Sequence, residues 1–136
     1  RAQRYGIGFE AYKKWLEEEL VIIAQIEHID AVANINDIID VKGIDGVIIG
    51  PYDLSSSMGY PGDYLRDDVS HAIEEVMRVC SANNFPSGFH VIETDPDIVL
   101  KRISQGCSIL AYSIDFFFLG DSVRSGISSI RMNIQK

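Results

Sequence analysis

Short apolar runs rich in β-branched residues alternate with helical stripes along this chain, and that alternation restricts the fold more than any other feature. Phe9, Tyr12, Trp15, Leu16 and Leu20 recur at helical spacing opposite Lys13, Lys14 and three consecutive glutamates. The first element therefore reads as an amphipathic helix with its stripe in the core. Val21 to Glu27 follows as a nearly continuous apolar run, as expected of a strand buried on both faces of a parallel sheet. Ala31 to Val41 reads as a helix ended by Gly43, Gly46 to Gly50 as the second strand, and Asp53 to Asp63 as a polar loop. Asp68 is placed to cap a helix striped by Val69, Ala72, Ile73, Val76 and Cys80, with His71 on its wet side. Gly88 to Ile92 is a third strand. Thr94 or Asp95 then caps a helix with Pro96 in its first turn and Gly106 at its end. Cys107 to Ile114 is a fourth strand, and Ser122 to Ile134 a last helix with Val123, Ile127 and Ile130 inward. Such an order calls for a parallel α/β sheet with right-handed crossovers, either an open sandwich or half of a larger barrel.

The residue totals exclude several functions. At 136 residues with 46% hydrophobic content the chain has the size and apolar material of one ordinary domain. A formal charge of -8 argues against nucleic acid or an anionic membrane surface as a partner. Cys80 and Cys107 form no C-x-x-C pair, which fits a reducing compartment and gives no zinc signal. The apolar stretch from Ile109 to Leu119 is broken by Asp115 and too short to span a bilayer, and Arg1 to Tyr12 carries no secretory signal. A cytoplasmic setting is expected.

Two acids close successive strands. Gln25-Ile26-Glu27 ends the first, and Gly50-Pro51-Tyr52-Asp53 follows the second. In a parallel sheet both carboxylates open onto the face where such folds place their chemistry. Two hard oxygen ligands meeting there suggest a divalent metal, Mg²⁺ or Mn²⁺ with Co²⁺ as a third candidate, and a metal-dependent enzyme. Each residue also has a plainer reading. Glu27 could be a surface acid, Asp53 a cap for a helical turn, and Gln25 a neighbour's hydrogen-bond partner. His28 reads as a loop residue, His90 as a satisfied interior histidine, and both cysteines as buried structural thiols.

The motifs Arg1-Ala2-Gln3, Gln25-Ile26-Glu27, Ala31-Val32, Ile44-Asp45-Gly46-Val47, Gly50-Pro51-Tyr52-Asp53-Leu54-Ser55 and Met58-Gly59-Tyr60 occur in an order that resembles the HpcH/HpaI aldolases. The resemblance runs from Arg1 to about Leu119. It implies a (β/α)₈ TIM barrel of the phosphoenolpyruvate/pyruvate type, with residues 1–136 forming the C-terminal half of a single domain and carrying strands five to eight. It implies a divalent-metal pyruvate aldolase that cleaves 4-hydroxy-2-oxo acids to pyruvate and an aldehyde through a metal-stabilised pyruvate enolate. It makes Glu27 and Asp53 the metal ligands, Gln25 a substrate contact, and the backbone N–H groups of Tyr52 and Asp53 holders of the substrate carboxylate. The family's position at Tyr52 is commonly alanine, and at Ser113 usually glycine. Its catalytic histidine, acidic partner and arginine belong to strands that this sequence lacks. Arg1, His28 and His90 do not match those motifs, so no catalytic residue is expected in this chain.

A small 2-oxo acid is thus the expected partner, in a homo-oligomer, without nucleic acid or membrane. A Schiff-base mechanism would need a lysine on a strand, but Lys13, Lys14, Lys42, Lys101 and Lys136 read as helix, loop or tail. A related acyl-CoA lyase would use the same acid pair. A noncatalytic half-barrel fragment or interaction module is the alternative of another class, because half a barrel leaves two open edges and an uncovered inner face.

Overall fold

The computed structural model describes residues 4–134, so the Arg1-Ala2-Gln3 motif and Lys136 lie outside the described residues. A single 3₁₀ turn (Arg4–Gly6) precedes α1 (Phe9–Glu19). Then come β1 (Ile23–Ile26), α2 (Ile29–Ala33), α3 (Ile35–Ile39), β2 (Gly46–Ile49), α4 (Pro51–Ser57) and α5 (Asp67–Ala82). The order closes with β3 (Ser87–Val91), α6 (Pro96–Ser104), β4 (Ile109–Tyr112) and α7 (Asp115–Ile134). The four strands form one parallel sheet in the order β1-β2-β3-β4, so β1 and β4 are its edges, as expected.

Register follows from backbone links at the strand starts. Asp45 accepts from the Ile22 N–H through its carboxylate (2.7 Å) and donates its own N–H to the Ile22 carbonyl (2.8 Å), pinning β2 to β1. Ile26 then lies beside Ile49, and Ile49 beside Phe89. These residues share the outer face with Val47 and Val91, where they pack with Val69, Ile73, Val76 and Cys80 of α5 and with Leu54 of α4 into one buried core. The α5 stripe is the one the sequence predicts. Each fully buried aliphatic chain there contributes about 1.5–3 kcal/mol relative to exposure.

The inner face has less to cover it. Gln25 and Ile23 are exposed, and Ile48, His90, Ile109 and Ala111 are half-buried. Gly46 and Gly88 are buried instead because Ile109 leans over them: a Cβ on Gly46 would lie 2.7 Å from Ile109 Cδ1, and one on Gly88 2.0 Å from the Ile109 carbonyl oxygen. Backbone cannot yield as a flexible side chain does. Gly88→Ala should therefore force β3 from β4 and cost about 1–3 kcal/mol, read as a lowered denaturation midpoint. An unchanged midpoint would show that the strand contact is not as tight as the geometry states.

Several expectations are corrected. The stripe of α1 is not core: α1 buries no residue, and Trp15 is 52% exposed, because the described chain offers no surface to cover it. β1 is not buried on both faces; only Ile26 is buried, since β1 is an edge strand whose inner face is open. The helix expected from Ala31 to Val41 splits at Asn34. Its side chain donates to the Asp30 carbonyl (2.7 Å), the local competition with helix continuation that Asn typically offers. Pro51 starts a helix where a loop was expected, having no N–H for the first turn to leave idle, and Leu54 and Ser55 bury that helix. Arg66 rather than Asp68 occupies the cap position of α5, without a side-chain cap bond, and Asp68 sits in its first turn, where a carboxylate suits the helix dipole. The last helix begins at Asp115 rather than Ser122. Val123, Ile127 and Ile130 are 50%, 45% and 60% exposed rather than inward, since no described element covers that stretch; α7 meets the chain nearer its start, where Phe118 lies edge-on to Tyr112 and Asp121 accepts from Thr94. Asp95 does cap α6, accepting from the Asp97 N–H at 2.9 Å, and Gly106 follows α6 in the left-handed region at φ +95°.

Candidate active site at the carboxyl ends of the strands

Because Ile26 points into the core, its neighbours Gln25 and Glu27 point to the inner face. The Gly50 N–H donates to the Ile26 carbonyl (3.0 Å), which sets Gly50 level with Glu27 across the strand pair. A Cβ at Gly50 would lie 2.9 Å from Gln25 Nε2 and 3.5 Å from Glu27 Cβ, so a larger residue would displace the Gln25 amide and merely touch Glu27. Gln25 Nε2 donates to Glu27 Oε2 at 2.8 Å and orients the carboxylate. Gln25 is thus both the neighbour's partner of the plainer reading and a resident of the pocket.

Asp53 is the third residue of α4, whose cap position is Gly50, so it is not the cap that a local reading allowed. The first intrahelical bond of α4 runs from Leu54 N–H to the Gly50 carbonyl (3.0 Å). The N–H groups of Tyr52 and Asp53 therefore have no acceptor within the helix, and Pro51 has no N–H. Ser55 locks this turn: its hydroxyl donates to the Tyr52 carbonyl (2.8 Å) and accepts from the Gly62 N–H (3.1 Å). Gln25, Gly50, Tyr52, Asp53, His90 and Phe117 line one cavity of about 300 Å³. Glu27 does not line it but is joined to it through Gln25. A larger hollow of about 480 Å³ beside α1 is lined by Arg4, Tyr12 and Trp15 and carries no carboxylate.

The donor set fits a divalent ion only as an open site. Among the described residues no group of three or more His, Cys, Asp or Glu side chains is gathered that could hold one unaided. Held by Glu27 and Asp53, an ion would have two hard oxygen ligands and keep further positions for substrate and water.

His28 lies in the connection after β1, as expected, and there caps α2: Nδ1 accepts from the Asp30 N–H at 3.2 Å. His90 is half-buried on the inner face and lines the cavity, so it is not the interior histidine expected. Cys80 and Cys107 are free and buried, and burial pushes both thiols up, partly offset at Cys107 by Arg102. Among the described lysines none lies on a strand. Ser113 has φ +54°, which explains why glycine suits that position. Its hydroxyl donates to the Ile92 carbonyl (2.7 Å) and offsets the strain.

Two residues at this end escape a motif search. Buried Tyr64 donates its hydroxyl to Glu93 Oε1, and its ring sits 5.5 Å from Tyr52 and 6.5 Å from Phe89. Burial first, then the hydrogen bond to Glu93 and its charge, push the phenol well above its ordinary range, so it stays a neutral donor. Glu93 had a signal: it is a third acid just beyond an apolar strand. Tyr64 had none, being one aromatic in a polar connection.

Residues 2–119 match the model of the HpcH/HpaI aldolase/citrate lyase family. The chain belongs to this family. It is 38% identical over 115 residues to a 2-keto-3-deoxy-L-rhamnonate aldolase of Klebsiella pneumoniae subsp. pneumoniae, covering 85% of this chain and 42% of that protein. An HpcH/HpaI aldolase from Desulfitobacterium hafniense superposes with a TM-score of 0.79 at 32% identity, over 88% of this chain and 47% of that one. An HpcH/HpaI aldolase/citrate lyase family protein from Burkholderia cenocepacia gives a TM-score of 0.80 at 23% identity, over 88% of this chain and 47% of the other, a likeness of fold alone. The chain thus spans less than half the length of these family members, and its four parallel strands are those of a partial (β/α)₈ barrel.

Proposed function

We propose that this chain is the C-terminal half, strands five to eight, of a divalent-metal pyruvate aldolase that cleaves a 4-hydroxy-2-oxo acid to pyruvate and an aldehyde. The observation that supports the reading is that Gln25, which donates to Glu27, lines one cavity with Gly50 and Asp53 at adjacent strand ends. The related 2-keto-3-deoxy-L-rhamnonate aldolase supports a sugar-acid substrate. Glu27 and Asp53 would hold the ion, Mg²⁺ or Mn²⁺ with Co²⁺ as a third candidate. When bound it supplies Lewis-acid stabilisation of the negative charge developing on the 2-oxo acid. Gln25 fixes the Glu27 carboxylate and reaches into the cavity, while the N–H groups of Tyr52 and Asp53 are donors for the substrate carboxylate. The base that takes the C4 hydroxyl proton as the C3–C4 bond breaks comes from the other half of the barrel; neither His28 nor His90 is assigned that role. The setting is cytoplasmic, which two unpaired, buried cysteines fit.

A coupled pyruvate assay on the complete barrel, this chain joined to the half that completes it, should show cleavage that a chelator removes and Mn²⁺ or Mg²⁺ restores. Inactivation by borohydride with substrate, together with indifference to chelator, would instead establish a lysine mechanism. A second reading, a noncatalytic half-barrel that serves as an interaction module, is favoured by the exposed apolar length of α7. A related acyl-CoA lyase is the third, because the acid pair serves its enolate equally well.

A further inference from the structure

The cavity at Gln25 and Asp53 does not end at Tyr52. Tyr52, Ile92 and Phe117 also wall a second hollow of about 170 Å³, whose remaining walls are Glu93, Thr94 and Asp121. Tyr52 is a fixed partition between the two. Its ring lies against Tyr64 at 5.5 Å, and a Cβ on Gly62 would come within 3.7 Å of it. The two hollows are thus neighbours that share Tyr52, Ile92 and Phe117 as walls.

The second hollow has a definite polarity. One Glu93 oxygen accepts from the Tyr64 hydroxyl, and the other retains its acceptor capacity. Asp121 accepts from the Thr94 hydroxyl (2.5 Å) and from Arg124 (2.5 Å), and these two contacts hold its carboxyl below the usual range. Two carboxylates against one guanidinium leave a net negative, acceptor-rich wall. Opposite it, Ile92 and Phe117 are apolar. At about 30 Å³ per water-sized group the space takes about six such groups, the bulk of a short side chain.

We infer that this second hollow is the subsite for the aldehyde-side tail of the substrate, and that it selects a short, uncharged, hydroxylated tail over one ending in a carboxylate. The inference rests on the aldolase reading and adds the substrate class to it. Hydroxyl protons of the tail meet Glu93 and Asp121, its carbon meets Ile92 and Phe117, and a second carboxylate meets like charge.

The test uses the complete barrel and two 4-hydroxy-2-oxo acids that differ only in whether the tail ends in a neutral hydroxyl or a carboxylate. The wild type should favour the neutral tail in kcat/KM by at least about tenfold. Glu93→Gln and Asp121→Asn should each shrink that ratio severalfold, chiefly through a lower KM for the carboxylate substrate; a merely structural role would move both substrates together. Glu93→Gln keeps an acceptor for Tyr64, so loss of folding is not its expected effect. Deuterium exchange into the methyl group of pyruvate, followed by NMR, needs no tail. Exchange in the wild type with no preference between the substrates, or with ratios unmoved in both variants, overturns this inference alone. Absence of both exchange and cleavage overturns the aldolase reading and this inference with it.

Discussion

Glu27→Ala in the complete barrel will weaken Mn²⁺ binding by more than about 100-fold, and Gln25→Ala will weaken it by less. The ranking follows from the hydrogen bond between them. Gln25 donates to Glu27 Oε2 at 2.8 Å, so it acts on the ion through the carboxylate that would bind it. Loss of such an outer partner typically costs about 10–100-fold in affinity. Loss of one of two charged ligands removes the bond itself and half of the site's negative charge, so it must cost more. Asp53→Ala should match Glu27→Ala, whereas His28→Ala should leave affinity unchanged, because His28 Nδ1 is engaged in capping α2. Calorimetry with Mn²⁺ reads all four variants. Unchanged affinity in Glu27→Ala sinks the ligand assignment, and equal losses in Gln25→Ala and Glu27→Ala would make Gln25 a ligand or Glu27 an outer residue.

Much of the frame was legible because it rests on local chemistry. Strand alternation, Pro96 at a helix start, Asp95 as a cap and the α5 stripe are all read within a few residues. The misreadings of α1, β1 and α7 share one cause. An apolar stripe tells which face wants cover but not where the cover comes from, so α1, β1 and α7 read as core while the described chain leaves them open. Sequence placed Gln25, Glu27, Tyr52 and Asp53 at strand ends by spacing alone. The cavity lined by Gln25, Tyr52 and Asp53 depends on Gly50, Phe117 and His90, which meet only once the sheet register and the early start of α7 are set. Tyr64 reaches Glu93 across a separation that no local pattern encodes.

The 136-residue chain by itself will be catalytically inactive and will self-associate. A folded monomer of 15.2 kDa exposes about 7,100 Å² by the general scaling of surface with mass. This chain exposes 9431 Å², about 2,300 Å² more. That excess exceeds the total surface buried by an ordinary stable protein interface, about 1,200–2,000 Å². It is also apolar: Phe116, Leu119, Val123, Ile127, Ile130 and Ile134 run along α7 at steps of three or four residues, all exposed, and Val21, Ile22 and Ile23 are exposed at the open β1 edge. Water tolerates scattered apolar side chains but not a continuous stripe beside an unpaired strand. Sedimentation velocity should therefore find dimers or larger species, and adding the complementary half of the barrel should convert them to a defined assembly. Turnover is a separate matter, since neither the two acids nor His90 replaces the base expected from the other half. The pyruvate assay should read zero for the isolated chain even when Mn²⁺ is present. A stable, active monomer of these residues would refute the half-barrel reading outright, while an inactive dimer would support it and show two halves covering each other's open faces.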